Sequence, residues 1–287
     1  TITPWHDKID FEIAERHDLE KEQIIDKYGK LLPIAGEFAG MKIKEAREKI
    51  IEKLQSKGLI EKIEDNYIHN IATAERTEAV VEPQIMNQWF IDVNKKIADR
   101  DNKSLKELML DVVKNKSIEI IPERFERVYY NWIENLRDWC ISRQIWYGHR
   151  IPVWYKGEEI YCGIEAPGGE GWEQDSDTLD TWFSSGLWTF STMGWPDISS
   201  PDFQAYRHTN VLETAYDIIF FWVARMILMT TYILGEVPFK TVYMHGLVRD
   251  TQGRKMSKSL GNSLDPVELI NKYGTDAVRM SLIMGTG

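Results

Sequence analysis

Residues 254–262, Arg-Lys-Met-Ser-Lys-Ser-Leu-Gly-Asn, set two lysines three residues apart, with a hydroxyl between them and another directly after. Gly253 and Gly261 flank the pair. That composition suits a mobile loop that brings positive charge to a phosphate. A leaving pyrophosphate gains charge in its transition state, and positioned ammonium groups stabilise it there. Serine hydroxyls and backbone amides freed by glycine add hydrogen bonds to the same oxygens. Lys255, Lys258, Ser257 and Ser259 are therefore the candidate catalytic residues. The plainer alternative is a basic surface loop.

The elements upstream of this loop could position it. Residues 208–214 read as a strand, 217–234 as a helix and 240–248 as a second strand. Strand, long helix and strand make a βαβ unit with parallel pairing and a right-handed crossover. Ligands of such sheets sit beyond the carboxyl ends of the strands. Asp217 follows the first strand, while His245, Gly246 and the lysine loop lie at or beyond the end of the second. All are thereby directed to one sheet edge. Ile218 and Trp222 are four apart and share a helical face, so both could line one pocket near Asp217.

Other stretches are read in the same way. Asp7 and Asp10 could anchor an ammonium group, with Thr3 and His6 near enough to position a water; either aspartate could equally cap the helix expected over 10–16. A helix is expected over 41–57, closed by Gly58, a strand-like run over 79–91, and helix or helix-loop-helix over 95–115. Residues 122–139 place Phe125, Val128, Tyr129, Trp132, Leu136 and Trp139 at helical spacing, an aromatic stripe that suits a core. Residues 139–152 mix aromatic and basic side chains that could stack on and pair with an unpaired RNA terminus. Residues 157–175, rich in Gly and Glu, read as a loop. Asp265, Pro266 and Glu268 form a helix start, Tyr273-Gly274 its end, and Thr275-Asp276 the start of another helix.

Composition bounds the class. The 287 residues suit one large or two smaller domains, and 43% apolar with 28% charged residues is ordinary for a soluble globular protein. A net charge of −10 argues against a general nucleic-acid binder but leaves room for contact with an RNA end. The apolar run 218–234 is interrupted by Arg225 and reads as a buried helix, so no membrane partner is expected. Two cysteines, Cys140 and Cys162, cannot form a zinc site alone, and no metal ligands are assigned. A reduced, cytoplasmic compartment is the natural reading, and the opening residues form no signal peptide.

The string Lys-Met-Ser-Lys-Ser followed by Leu-Gly-Asn resembles the lysine-rich signature loop of the class I aminoacyl-tRNA synthetases. Further motifs resemble the valyl branch of that family. They are Thr3-Pro4 with His6, Asp7, Asp10-Phe11-Glu12 and Arg16-His17; Gly148-His149 ahead of Ile151-Pro152; Trp182-Phe183 with Ser185; and 213–226, Glu-Thr-Ala-Tyr-Asp-Ile-Ile-Phe-Phe-Trp-Val-Ala-Arg-Met. The resemblance implies an α/β fold. It would comprise the second half of a Rossmann-like parallel sheet (76–287) with a connective insertion at about 125–205, and the C-terminal part of an editing domain (1–75). It implies ATP-dependent attachment of valine to tRNA(Val) through valyl-adenylate, with hydrolytic editing of mischarged threonine. Asp217, His245, Gly246 and Lys258 would bind ATP, with Mg2+ accompanying it. Trp182, Ile218 and Trp222 would line the valine pocket, Thr3, Asp7 and Asp10 the editing site, and Arg143, His149 and Arg150 would meet the tRNA 3′ end. Thr1 stands where the family often has lysine, and Ala215 where glycine is usual.

A monomer is expected, without structural zinc. The rest of the editing domain is expected upstream, and with no His-x-Gly-His in the 287 residues the chain alone is expected not to activate valine. Alternatives are a non-catalytic nucleotide- or RNA-binding segment, the isoleucyl branch, and a free-standing editing hydrolase.

Overall fold

The computed structural model describes residues 2–74, 77–257 and 260–285. Lys258 and Ser259, assigned above to catalysis, and Thr1 lie outside them. The chain divides into two compact units, Thr1–Asn87 and Gln88–Gly287.

The first unit holds helices α1 (Lys8–His17) and α2 (Ile43–Ser56). It reaches beyond the boundary expected at residue 75 because its opening residues hold 83–84. Trp5 Nε1 donates to Gln84 Oε1 (3.1 Å), and His6 Nδ1 faces the Pro83 carbonyl (3.3 Å). Where a strand-like run was expected over 79–91, Val80 makes an isolated bridge to Thr73 and the strand proper is confined to Phe90–Ile91. Pro83 brings no amide hydrogen to a ladder there.

In the second unit, α3 (Leu105–Lys114) starts on a capping box. Ser104 Oγ accepts from the Glu107 amide (3.3 Å), and Glu107 Oε2 accepts from the Ser104 amide (2.7 Å). Strand β1 (Glu119–Ile121) and helix α4 (Arg124–Glu134) follow. Strand β1 was missed in the sequence, although Ile118 and Ile120 alternate with polar residues and are buried. The helix expected to run to Trp139 stops at Asn135, and Trp139–Cys140 pairs antiparallel with Phe90–Ile91. Tyr129 on α4 is buried and donates to the Met109 carbonyl (2.9 Å), locking α4 to α3.

The expected loop over 157–175 is in large part sheet. Strand β2 (Val153–Lys156) pairs with β3 (Glu159–Cys162) on one side and β4 (Glu173–Gln174) on the other. Gly157 at φ +60° opens the two-residue turn between β2 and β3, a conformation that glycine adopts without strain. Short helices α5 (Thr181–Gly186), α6 (Trp188–Ser191) and α7 (Pro201–Tyr206) lead to β5 (Thr209–Ala215).

The expected βαβ unit is present. Strand β5 runs parallel to β6 (Phe239–His245), in register from Thr209–Phe239 to Ala215–His245, and β6 runs parallel to β1 on its other side. Among the described residues this makes a parallel sheet of order β5-β6-β1. The crossover is not one uniform helix: a 3₁₀ turn (Tyr216–Ile218) passes into a π-helical turn (Ile219–Ala224) and then into α8 (Arg225–Ile233). Tyr216–Ile233 is long and apolar enough to span a bilayer, yet 56% of it is buried within the protein, as expected of a core helix. Arg100 closes α8 by donating to the carbonyls of Thr231 (3.0 Å) and Ile233 (3.1 Å), where a cation also meets the negative helix end. Helices α9 (Pro266–Tyr273), capped by Asp265, and α10 (Thr275–Gly285) follow the loop as expected.

The capping box gives a stability prediction. Ser104→Ala is expected to lower the unfolding free energy by about 1 kcal/mol, seen as a shifted urea midpoint at constant slope. Its acid limb also has a definite sign. The Lys96 ammonium, and after it the Ser104 amide, hold Glu107 down to about 2, below its ordinary 4.5. The Glu107 contribution is therefore complete above pH 4.5 and is lost as pH falls toward 2.

Candidate active site

At the carboxyl edge of the sheet, β5 and β6 end side by side at Ala215 and His245. Asp217 stands just past the first strand. Its Oδ2 accepts from Lys255 Nζ at 2.5 Å, so the lysine loop is folded back onto the edge. His245 places Nε2 3.2 Å from Glu213 Oε1 and Nδ1 2.6 Å from the Gly246 carbonyl. A cavity of about 430 Å³ opens here, lined by Glu213, His245, Gly246, Leu247, Val248, Lys255, Met256 and Leu282. Apolar walls with a few convergent polar groups are the usual form of a small-molecule site. The expected convergence of Asp217, His245, Gly246 and Lys255 is thus present.

The loop is held by a knot that the sequence reading did not anticipate. Asp250 Oδ1 accepts from the amides of Gln252 (3.0 Å) and Arg254 (2.9 Å), and Oδ2 accepts from Arg254 Nε (2.8 Å) and Asn262 Nδ2 (2.9 Å). Asn262 Oδ1 in turn accepts from the Ser257 amide (2.9 Å). The Asn262 amide first, and the Arg254 and Gln252 donors together with it, overcome the opposing effect of burial and hold the Asp250 carboxyl well below the usual carboxylate range. Arg249 donates to the Gly253 carbonyl and to the Tyr216 hydroxyl (2.7 Å each), tying this segment to the residue before Asp217. The spacing of Asp250 and Arg254, four apart, was the signal available.

The three residues assigned to the amino-acid pocket lie on α5 and the irregular crossover. Asp180 caps α5 by accepting from the Trp182 amide (3.3 Å). Trp182 packs on Phe221 at 5.8 Å, while Trp222 donates Nε1 to the Ser185 carbonyl (3.3 Å) and packs on Trp188. Trp182 and Trp222 are thus both drawn to the junction of α5 with the π-helical turn. Ile218 is half-buried at the start of that turn. The change of winding there means that an ordinary four-residue spacing does not by itself assign its face.

A family model described as tRNA synthetases class I (I, L, M and V) matches residues 6–170 and 166–287. The chain belongs to this family. Valine–tRNA ligases of Bacillus licheniformis and Bacillus subtilis are each 50% identical to it over 99% of this chain, and that of Clostridium tetani is 48% identical. The chain spans 32% of the length of these curated relatives. Among solved structures, the methionyl-tRNA synthetase of Mycobacterium tuberculosis bound to methionyl-adenylate superposes with a TM-score of 0.50 at 22% identity, over 75% of this chain and 37% of that one. At that identity the likeness speaks for the fold.

The remaining residues that the synthetase motifs suggested fall into two groups. In the first unit, Thr3 and Asp10 are together: Asp10 Oδ2 accepts from the Thr3 amide (2.6 Å) and hydroxyl (3.2 Å). Asp7 is the α1 cap, accepting from the amides of Ile9 (2.8 Å) and Asp10 (2.9 Å). His6 is not placed to position a water. Its Nε2 accepts from the amides of Ile24 (3.2 Å) and Ile25 (3.3 Å), and its ring is nearly buried.

In the second unit, both arginines assigned to a tRNA end have partners inside the synthetase chain. Arg143 pairs with Asp180 (2.8 Å) and the Cys140 and Ser142 carbonyls, and Arg150 donates to the carbonyls of Asp175 (3.0 Å) and Gln174 (3.2 Å). The His149 carbonyl accepts from the Leu179 amide (2.6 Å). Between them, Trp146 and Tyr147 are 95% and 88% exposed, the free aromatic faces of this segment.

Proposed function

We propose that this chain is a segment of a valine–tRNA ligase. Its second unit would contribute the distal half of the adenylation site and its first unit part of the editing domain. The observation that carries the reading is the meeting of Asp217, His245, Gly246 and Lys255 at one sheet edge, in a chain half identical to valine–tRNA ligases.

In the reaction proposed, a valine carboxylate oxygen attacks the α-phosphorus of ATP, the bond to the bridging oxygen breaks, and pyrophosphate leaves. Magnesium enters as part of the ATP substrate. Asp217 would accept hydrogen bonds from the ribose, with His245 and Gly246 flanking the adenine in the cavity. Lys255 and Lys258, with Ser257 and Ser259, would stabilise the charge gathering on the leaving group. The terminal ribose hydroxyl of tRNA(Val) then attacks the valyl carbonyl and AMP departs. Trp182, Ile218 and Trp222 would size the pocket by apolar contact. Such a pocket rejects an isosteric hydroxyl analogue poorly, a limit well known for valine against threonine. Thr3, Asp7 and Asp10 would serve the editing that this limit requires. The exposed Trp146 and Tyr147 suit stacking on unpaired bases, with Arg143, His149 and Arg150 around them.

Valine-dependent ATP–pyrophosphate exchange by the complete protein tests the reading, with isoleucine as the control. Exchange with valine alone is expected. Exchange with isoleucine alone would move the assignment to the isoleucyl branch, and binding of ATP without any exchange would make the segment a non-catalytic nucleotide binder.

A further inference from the structure

Arg225 opens α8 directly after the π-helical turn that carries Trp222, and its placement is unusual on energetic grounds. The residue is 6% exposed, and its Nη1 is buried with no hydrogen-bond partner among the described residues. Its guanidinium lies over two rings, 3.9 Å from the centre of Trp139 and 4.7 Å from that of Phe220. A buried cation with an unsatisfied donor is costly, and an apolar side chain of similar volume usually serves a core as well or better. Stability alone therefore does not account for arginine at this position.

Its contacts form a closed circuit through the pocket walls. Phe220 meets Phe221 edge-on at 5.5 Å, and Phe221 meets Trp182 at 5.8 Å. The Trp182 amide is capped by Asp180, which also accepts from Trp139 Nε1 at 3.3 Å. Trp139 returns the circuit to Arg225. The backbone closes the same gap. A Cβ on Gly186, at the end of α5, would stand 3.2 Å from the Arg225 carbonyl oxygen and 3.1 Å from Met229, so glycine is what lets α5 lie this close to α8. A planar cation can stack on two aromatic faces at once; an ammonium or a thioether cannot.

We propose that Arg225 is a specificity-positioning residue, setting the separation between the Trp182 wall on α5 and the crossover segment that carries Ile218 and Trp222. The proposal rests on the function argued above. Loss of the stack lets the two walls part and admits a larger side chain without disturbing the nucleotide edge.

The test uses the complete protein with Arg225→Met and Arg225→Lys, assayed by ATP–pyrophosphate exchange with valine and with isoleucine, alongside thermal melts. Both variants are expected to raise KM for valine about tenfold and to lose about tenfold in discrimination against isoleucine, the weight of one methylene in an apolar pocket. KM for ATP is expected to stay within about twofold of the parent. Arg225→Met is expected to melt no lower than the parent, since it removes an unsatisfied buried donor. A valine KM that does not move, or valine and ATP KM values that rise together, would overturn the proposal; the second pattern is that of general loosening. Should the methionine variant not fold, the lysine variant decides by the same split. A parent protein that activates a different amino acid would overturn the functional reading instead, and the same split would then be read with that amino acid.

Discussion

Replacing Lys255 by methionine in the complete protein is expected to lower valine-dependent pyrophosphate exchange by about 10²–10³-fold, through kcat, with KM for valine within about twofold. Methionine keeps much of the apolar stem that lines the cavity beside Met256 and removes the ammonium. The size of the effect follows from where charge develops. The leaving pyrophosphate carries more charge in the transition state than ATP carries on the same oxygens beforehand, so a fixed cation acts mostly on kcat. The pairing of Lys255 with Asp217 at 2.5 Å bears on the companion variant. In the proposed reaction, the carboxylate that would take the ribose is held by Lys255, and nucleotide binding exchanges one partner for the other. Asp217→Asn is therefore expected to raise KM for ATP while valine KM holds. A Lys255→Met enzyme that loses affinity for ATP but keeps its kcat would show that Lys255 binds the ground state and does not serve the transition state.

The sheet edge where Asp217, His245 and Lys255 meet was legible in the sequence because it rests on long elements. Seven-residue strands at Thr209–Ala215 and Phe239–His245, with an apolar crossover between them, force a parallel pair. A parallel pair sends whatever follows each strand to the same edge. The glycine-flanked loop then had to lie there. The hairpin Val153–Cys162 was harder to read, because its strands are only four residues each. Gly157-Glu158 was read as part of a glycine- and glutamate-rich loop, when a glycine opening a two-residue turn is itself a hairpin signal.

The residues proposed as pocket walls, Trp182, Ile218 and Trp222, could be singled out by type but not placed by spacing. A 3.6-residue period assigns faces only while the winding is α-helical, and residues 216–224 are 3₁₀ and then π-helical. The circuit from Arg225 through Phe220, Phe221, Trp182, Asp180 and Trp139 joins segments far apart in the chain. No spacing rule reaches across such a distance. Arg143 shows the same limit. Asp180 lies 2.8 Å from it, and that pair becomes visible only once the chain is folded.

Asp250→Asn is expected to cut kcat for pyrophosphate exchange by about 10–10²-fold, the range in which small displacements of a positioned group fall. The carboxylate organises the loop by accepting at both oxygens: Gln252 and Arg254 amides on one, Arg254 Nε and Asn262 Nδ2 on the other. An amide can accept at one oxygen only, so it presents a donor to donors on the other side. Asn262 then keeps only its longer bond to the Lys255 carbonyl (3.3 Å), which loosens the acceptor of the Ser257 amide at the centre of the lysine pair. The melting temperature is expected to hold, because the knot lies in a surface loop whose local opening need not unfold the core. Asn262→Asp sets a second carboxylate against Asp250 and is expected to act in the same direction. The pH dependence has a definite sign. Asp250 is held well below the usual carboxylate range, so its hydrogen bonds persist through mild acid and are lost only as pH falls through that lowered value. Parent kcat should therefore show no inflection from this group between neutral pH and the ordinary carboxylate range. An Asp250→Asn enzyme with unchanged kcat would mean that the lysine loop is ordered by its substrate and not by this knot.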